Sequence, residues 1–376
     1  MHLRNILSAL LLLPMLTPPA HAAAPDPSDA AFRRAPLLAR GINLSNWFAS
    51  SSDLSADHIA KHTTPADLAL IHDLGFTYVR LGVDPTQFTR PGLQSPDATA
   101  ALARLDTAIN QVLVAKLAVS LCIFPTDDYK RELASDDGAR KFIQLWRSLA
   151  QHYAASDPEH VFFEVINEPQ VNDAYRWDGL QAATVAAIRS QAPNHTIIAT
   201  AARWSGLDDI LRVEPVRDVN VIYNFHFYEP YPFTHQAASW GSFDWTFYKD
   251  VPYPATTDTI KTALANVPDA SARYTLYLYA ATGWNQQSIL GRLQFARAWA
   301  DEHHVPIICD EFGAYRDKAP ADSRARYLHD VRSSLEQLHI GWAMWDYSGD
   351  FGIVTKQNDT TTPDPITIEA LGLHPK

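Results

Sequence analysis

Two apolar runs in this chain end in glutamate. Val161 to Pro169 reads VFFEVINEP and delivers Glu168; Val305 to Gly313 reads VPIICDEFG and delivers Glu311. Burying a carboxylate costs several kcal/mol unless it is paired. A glutamate closing such a run is therefore better placed for chemistry than for stability. Other apolar runs end in polar or aromatic groups of the same kind: Asn43, Asn46 and Trp47; Arg80 and Asp84; Asn167; His226 and Tyr228; Trp345. Two carboxyls, a guanidinium, an imidazole, a phenol and an indole suit cleavage of a glycosidic bond. That reaction needs one protonated and one ionised carboxyl across the bond, with environments that separate their pKa values. A nearby arginine favours the ionised form. An aromatic face stacks on the apolar face of a sugar ring.

Scattered residues converge only if the elements carrying them converge. Strand-like runs occur at Arg40–Trp47, Thr77–Asp84, Leu117–Phe124, Val161–Glu168, Thr196–Ala202, Val219–His226, Pro306–Glu311 and Ile340–Trp345. Helical patterns lie between them, near Pro65–Leu74, Asp97–Lys116, Gly138–Tyr153, Gln181–Ser190, Gln286–His303 and Asp322–Leu338. The first carries its own punctuation: Thr64 as cap, Pro65 at the first helical position, Gly75 as the stop. Continuous apolar strands alternating with helices predict a parallel sheet covered on its outer face. Eight such strands, most of them followed by a helix, predict a closed (β/α)8 TIM barrel, with a long aromatic-rich loop after the sixth strand. An open doubly wound sheet would carry a Gly-rich phosphate turn, and no such pattern is present. In a barrel the C-terminal strand ends share one face, which brings the residues above together.

These residues also carry a resemblance. Gly41-Ile-Asn-Leu44, Val79-Arg80-Leu81, Ile166-Asn167-Glu168-Pro169, His226-Phe-Tyr228, Asp310-Glu311-Phe-Gly313 and Trp342-Ala-Met-Trp345, in this order over roughly residues 38–350, resemble glycoside hydrolase family five, the cellulase family. The resemblance implies Glu168 as general acid/base and Glu311 as nucleophile. It implies Arg80 as the group holding Glu311 ionised, Asn167 on the sugar 2-hydroxyl, and His226 and Tyr228 holding carboxylates and substrate. Trp345 would floor the reacting subsite. It further implies retention of configuration, carboxyls about 5–5.5 Å apart, and no metal or other cofactor. Many members carry a histidine after the third strand; here Phe124-Pro-Thr-Asp-Asp128 stands there. Asp127 and Asp128 as sugar contacts, or as simple loop carboxylates, are both open.

Blander readings accompany the sharp ones. Glu164 shares strand parity with Glu168 and reads as a buried structural carboxylate. Trp342 has opposite parity to Trp345 and reads as packing against helices. Asn43 and Asn46 stand between sugar contact and loop support, and Trp47 is a candidate contact for substrate. Trp240, Trp245, Phe247 and Tyr248 line a cleft or form the core of the long loop. His58 and His62, at i and i+4, read as a solvated helix face without a third metal ligand. Cys122 and Cys309, on strands three and seven, read as buried free thiols.

The chain has 31 Lys and Arg against 42 Asp and Glu, a net charge of −11. That balance disfavours nucleic acid, anionic lipid and polyanionic substrates. Residues 1–22 have a basic start, a short apolar run and a small-residue cleavage site, the pattern of a signal peptide. The expectation is a secreted or periplasmic monomer, with 23–376 as one catalytic domain and no membrane attachment after cleavage. Its partner would be a neutral β-glucan, cut as by an endo-β-1,4-glucanase. The alternatives are exo-β-1,3-glucanase or β-mannanase action, or a catalytically poor carbohydrate-binding barrel.

Overall fold

Eight parallel strands close in sequence order into a barrel: β1 Arg40–Asn43, β2 Tyr78–Val83, β3 Ala118–Ile123, β4 Val161–Glu164, β5 Ile197–Thr200, β6 Val221–Phe227, β7 Ile307–Phe312 and β8 Gly341–Met344. The computed structural model describes residues 29–89, 96–241, 243–358 and 360–374, so the leader expected at 1–22 lies outside the described residues. Several ladders stop short of the predicted ends. β1 stops before Asn46 and β4 before Glu168, and those residues adopt φ of +59° and +46°. A residue in the left-handed region cannot continue a strand. The chain there turns to aim side chains over the barrel mouth.

The helices match their sequence signals closely. In Pro65–Asp73 the Thr64 hydroxyl and the Asp67 carboxylate cap each other's backbone N–H groups, and Gly75 follows at φ +98°. Helix Ala174–Gln191 begins well before the predicted Gln181, because Asp173 accepts from the N–H of Tyr175 and Arg176. The stretch after β6 holds helices Lys261–Ala265 and Ala270–Thr282. Tyr248 and Tyr253 are buried within it, donating to Ala272 O and Asp330 Oδ2 at 2.8 Å each. An antiparallel pair, β9 Val354–Gln357 with β10 Thr360–Pro363, follows β8 and was not anticipated from the sequence. Lys356 ties it to Asp67 Oδ2 at 2.7 Å.

The barrel lumen is layered. Tyr78, Ala118, Phe162, Ile198, Ile222, Ile308 and Ala343 form an apolar floor, closed from below by Ala31 and Leu38 of the N-terminal segment. Two residues further along their strands stand Arg80, Ser120, Glu164, Asn224 and Asp310, all buried and all polar. Period-two alternation puts both sets on the same inward face. Cys122 and Cys309 are buried and free. Trp342 packs edge-on against Phe76 and Phe312, outside the lumen.

Candidate active site

Arg80 organises the centre. Its Nε and Nη2 donate to Glu164 at 2.8 and 2.6 Å. Nη1 donates to Asn43 Oδ1 at 3.0 Å and to Glu311 Oε1. Nη2 also reaches Asn167 Oδ1 at 2.9 Å, and Asp310 lies 3.4 Å from Nε. Glu164 takes the bidentate face, so Arg80 serves three carboxylates rather than Glu311 alone. Ser120 Oγ donates to Glu164 as well, at 2.9 Å. Glu164 is thus the buried structural carboxylate its strand parity suggested. Guanidinium has donors only, so the Asn167 atom facing it is the amide oxygen. That leaves the Asn167 amide N–H groups directed away from Arg80.

The two glutamates reach the centre by different routes. Glu168 leaves β4 through its left-handed turn, its side chain a quarter exposed. Glu311 is buried in β7, where the pairing to β6 skips a residue: Phe225 faces Cys309 but His226 faces Glu311. This bulge breaks the alternation, so consecutive Asp310 and Glu311 both reach Arg80. Bulges re-aim side chains beside active sites in this way. Tyr228 Oη donates to Glu311 Oε2 at 3.0 Å.

His226 lies between the acids. Nδ1 is 2.9 Å from Glu168 Oε1 and 3.4 Å from Glu311 Oε2; Nε2 is 3.4 Å from Asp310 Oδ1. Burial pushes the imidazole down, but Glu311, Asp310 and Glu168 outweigh burial and push its pKa up to about 10. Both ring nitrogens face carboxylates, which fits an imidazolium. Burial pushes Glu168 up, yet the His226 hydrogen bond and charge, with Lys130 and Arg80, hold it below the usual carboxylate range. Burial raises Glu311 against the pull of His226 and Arg80. These opposite shifts favour the proton on His226 over Glu168. Glu168, His226 and Glu311 offer one ligand atom each within 4.8 Å of one another, the spacing of a cation site. Donors from Arg80 and Tyr228 and the imidazole itself already occupy them.

Trp345 follows β8, partly exposed, and stacks on Phe124 at 5.6 Å and 18°. Both line a pocket with Asn43, Ser45, Ser50 and Arg80. Trp240 is 41% exposed beside Tyr315 and Phe351, whereas Tyr248 is buried and Trp245 and Phe247 pack half-buried against the main core.

Several expectations are corrected. Trp47 is buried, donating to Ile59 O at 2.8 Å, because the chain past β1 turns its ring into the core rather than toward the cleft. Asn43 is buried and donates to the Asp310 and Met344 carbonyls, so it supports Arg80 from below. Asp84 accepts from the Thr86 N–H as a local turn. His58 and His62 are stacked and half-buried rather than solvated, bonded to the Asn46 and Ser45 carbonyls, where they brace the turn after β1. Asp127 accepts from Gln170 and Asp128 pairs with Arg131, both exposed carboxylates in the first turn of a short helix rather than in a loop.

One residue gave no clear sign of itself in the sequence. Arg203, Trp204 and Ser205, just past β5, have three successive positive φ values of 53°, 62° and 54°. Trp204 stands 52% exposed, its N–H on Pro169 O at 3.1 Å. A tryptophan immediately past an apolar strand was the signal available.

The family described as cellulase, glycosyl hydrolase family 5, matches residues 37–351. Endoglucanase 3 of Fibrobacter succinogenes is 29% identical over 338 residues, 84% of this chain; the chain spans only 50% of that protein. Endoglucanase C of Acetivibrio thermocellus is 27% identical over 88% of this chain and 97% of its own. A solved endoglucanase superposes with a TM-score of 0.74 at 22% identity, over 91% of this chain and 99% of its own, a likeness of fold. The endoglucanase of Thermotoga maritima gives 0.71 at 25% identity over the same shares.

Proposed function

The chain belongs to the cellulase family, glycosyl hydrolase family 5, and from that premise we propose that it is an exported, retaining endo-β-1,4-glucanase acting by double displacement. The observation carrying the mechanism is the carboxyl pair. One oxygen of Glu168 lies within 4.8 Å of one oxygen of Glu311. Retaining enzymes hold their carboxyls about 5–5.5 Å apart; inverting enzymes need about 6.5–9.5 Å to admit a water. Glu311, oriented by Arg80 and Tyr228, attacks the anomeric carbon and forms the glycosyl ester. Glu168 protonates the departing oxygen, then deprotonates the water that hydrolyses the ester. The proton on His226 Nδ1, 2.9 Å from Glu168 Oε1, is the one returned to Glu168 when substrate enters. Asn167 directs its amide N–H groups to the 2-hydroxyl and Trp345 stacks under the ring.

The endo reading rests on the relatives' printed activities and on exposed aromatics after three strands: Tyr175 after β4, Trp204 after β5, Tyr231 and Trp240 after β6. Several stacking positions suit a chain of sugars better than a single terminal unit. The test uses soluble β-glucans. Glu311→Gln should lose at least about 10³-fold in kcat. Glu168→Ala should lose as much on polymer while keeping glycosylation by activated aryl glycosides, with azide restoring turnover. Near wild-type hydrolysis by Glu311→Gln would sink the reading. Products from mixed-linkage glucan, laminarin and mannan separate endo-β-1,4 cleavage from exo-β-1,3 or mannan cleavage.

A further inference from the structure

Lys130 lies on the short helix Asp127–Glu132 that follows β3. Its neighbours Asp127, Asp128 and Arg131 point to solvent, but Lys130 is 4% exposed. Among the described residues its ammonium joins no hydrogen bond or ion pair; its one contact is with the Phe124 ring, 6.0 Å from Nζ to the centroid. The stem is covered while the ammonium tip still meets solvent, as in a snorkelling lysine. A lysine serving the fold alone would find a carboxylate or carbonyl.

Its surroundings say what the ammonium tip faces. Phe124 stacks on Trp345 beside Arg80, at the wall of the catalytic pocket. The Lys130 charge also reaches Glu168. An ammonium has three donors and no acceptor, so the partner it suits is an oxygen acceptor. No free carboxylate among the described residues supplies it, and sugar hydroxyls are the acceptors a glycan brings to this wall.

We propose that Lys130 is a substrate-contacting residue whose ammonium donates to hydroxyl oxygens of the sugar held between Glu168 and the Phe124–Trp345 pair. This rests on the glucanase reading above. It makes Lys130 a specificity determinant of that wall.

Steady-state kinetics on a soluble β-glucan, and inhibition by cellobiose, test the assignment in Lys130→Met and Lys130→Arg. Lys130→Met should raise KM and the cellobiose inhibition constant about tenfold or more, the size of one lost charge-assisted hydrogen bond. kcat should move less, and Lys130→Arg should recover part of the binding. The melting temperature of Lys130→Met should stay close to wild type, because the ammonium meets solvent and holds no protein partner. KM and the inhibition constant within twofold of wild type would overturn the proposal. So would a Lys130→Met protein that melts much lower or fails to fold, since that marks a structural lysine. A wild-type protein inactive on every glucan and mannan sinks the underlying glucanase reading instead.

Discussion

The two lowest layers of the barrel lumen share strands, parity and burial, and differ only by a step of two residues. Tyr78, Ala118, Phe162, Ile222 and Ile308 form one; Arg80, Ser120, Glu164, Asn224 and Asp310 form the other. The apolar layer stabilises by transfer and packing, so each side chain contributes on its own account and a small loss costs little. In the polar layer no member is stable alone. Arg80 is tolerated because Glu164, Asp310 and Glu311 surround it, and they are tolerated because of Arg80. A buried ion network of this sort adds little net stability over an apolar filling, yet it is severely damaged when one partner goes. The lesson is a division of labour: the floor holds the barrel closed, and the layer above holds charges in register for the acids at the mouth.

Three experiments bear on that contrast, in descending order of effect. Arg80→Met strands Glu164, Asp310 and Glu311 without their cation. It should cost about 3–5 kcal/mol in urea unfolding and abolish activity in what remains folded; a loss under about 1 kcal/mol would equate the two layers. The second is the pH dependence of stability. His226 titrates near 10 in the fold against about 6.5 in an unfolded chain. A raised imidazole contributes stability that is fully present below about 6.5 and is lost as pH rises through about 10. Denaturation midpoints should therefore fall over this window, and His226→Gln should flatten the fall; an unchanged slope would count against the imidazolium. The smallest effect belongs to the floor. Ile222→Val should cost about 0.5–1.5 kcal/mol and leave kcat unchanged, since the apolar layer touches no reacting group.

Much of this was legible in the chain. The run VFFEVINEP identified a buried strand and both of its acids, and parity alone separated the inward, structural Glu164 from the outward Trp342. Thr64-Pro65 and Gly75 marked a helix at both ends because capping is local chemistry. Trp47 was misread because one left-handed residue, Asn46, decides whether the next side chain faces the cleft or the core. Trp204 was missed for the same reason: three left-handed residues in a row leave no compositional mark when none is glycine. Lys130 carries no mark in the sequence because the burial of its stem is a property of the whole surroundings.

The sequence by itself determined the features that short-range rules govern: alternation, capping, turn chemistry and the count of strands. From these came the barrel, the shared face, and the gathering of Glu168, Glu311, Arg80 and His226 upon it. Which acid Arg80 grips bidentately was decided only by closure of the barrel, which brings β2 and β4 side chains to one point across the lumen. That both Asp310 and Glu311 look inward was decided by one skipped residue between β6 and β7. Period-two alternation forbids such a pair; only pairing with neighbouring strands creates the bulge. Charge partners and re-aimed side chains are relations between distant segments, so they exist only once those segments meet.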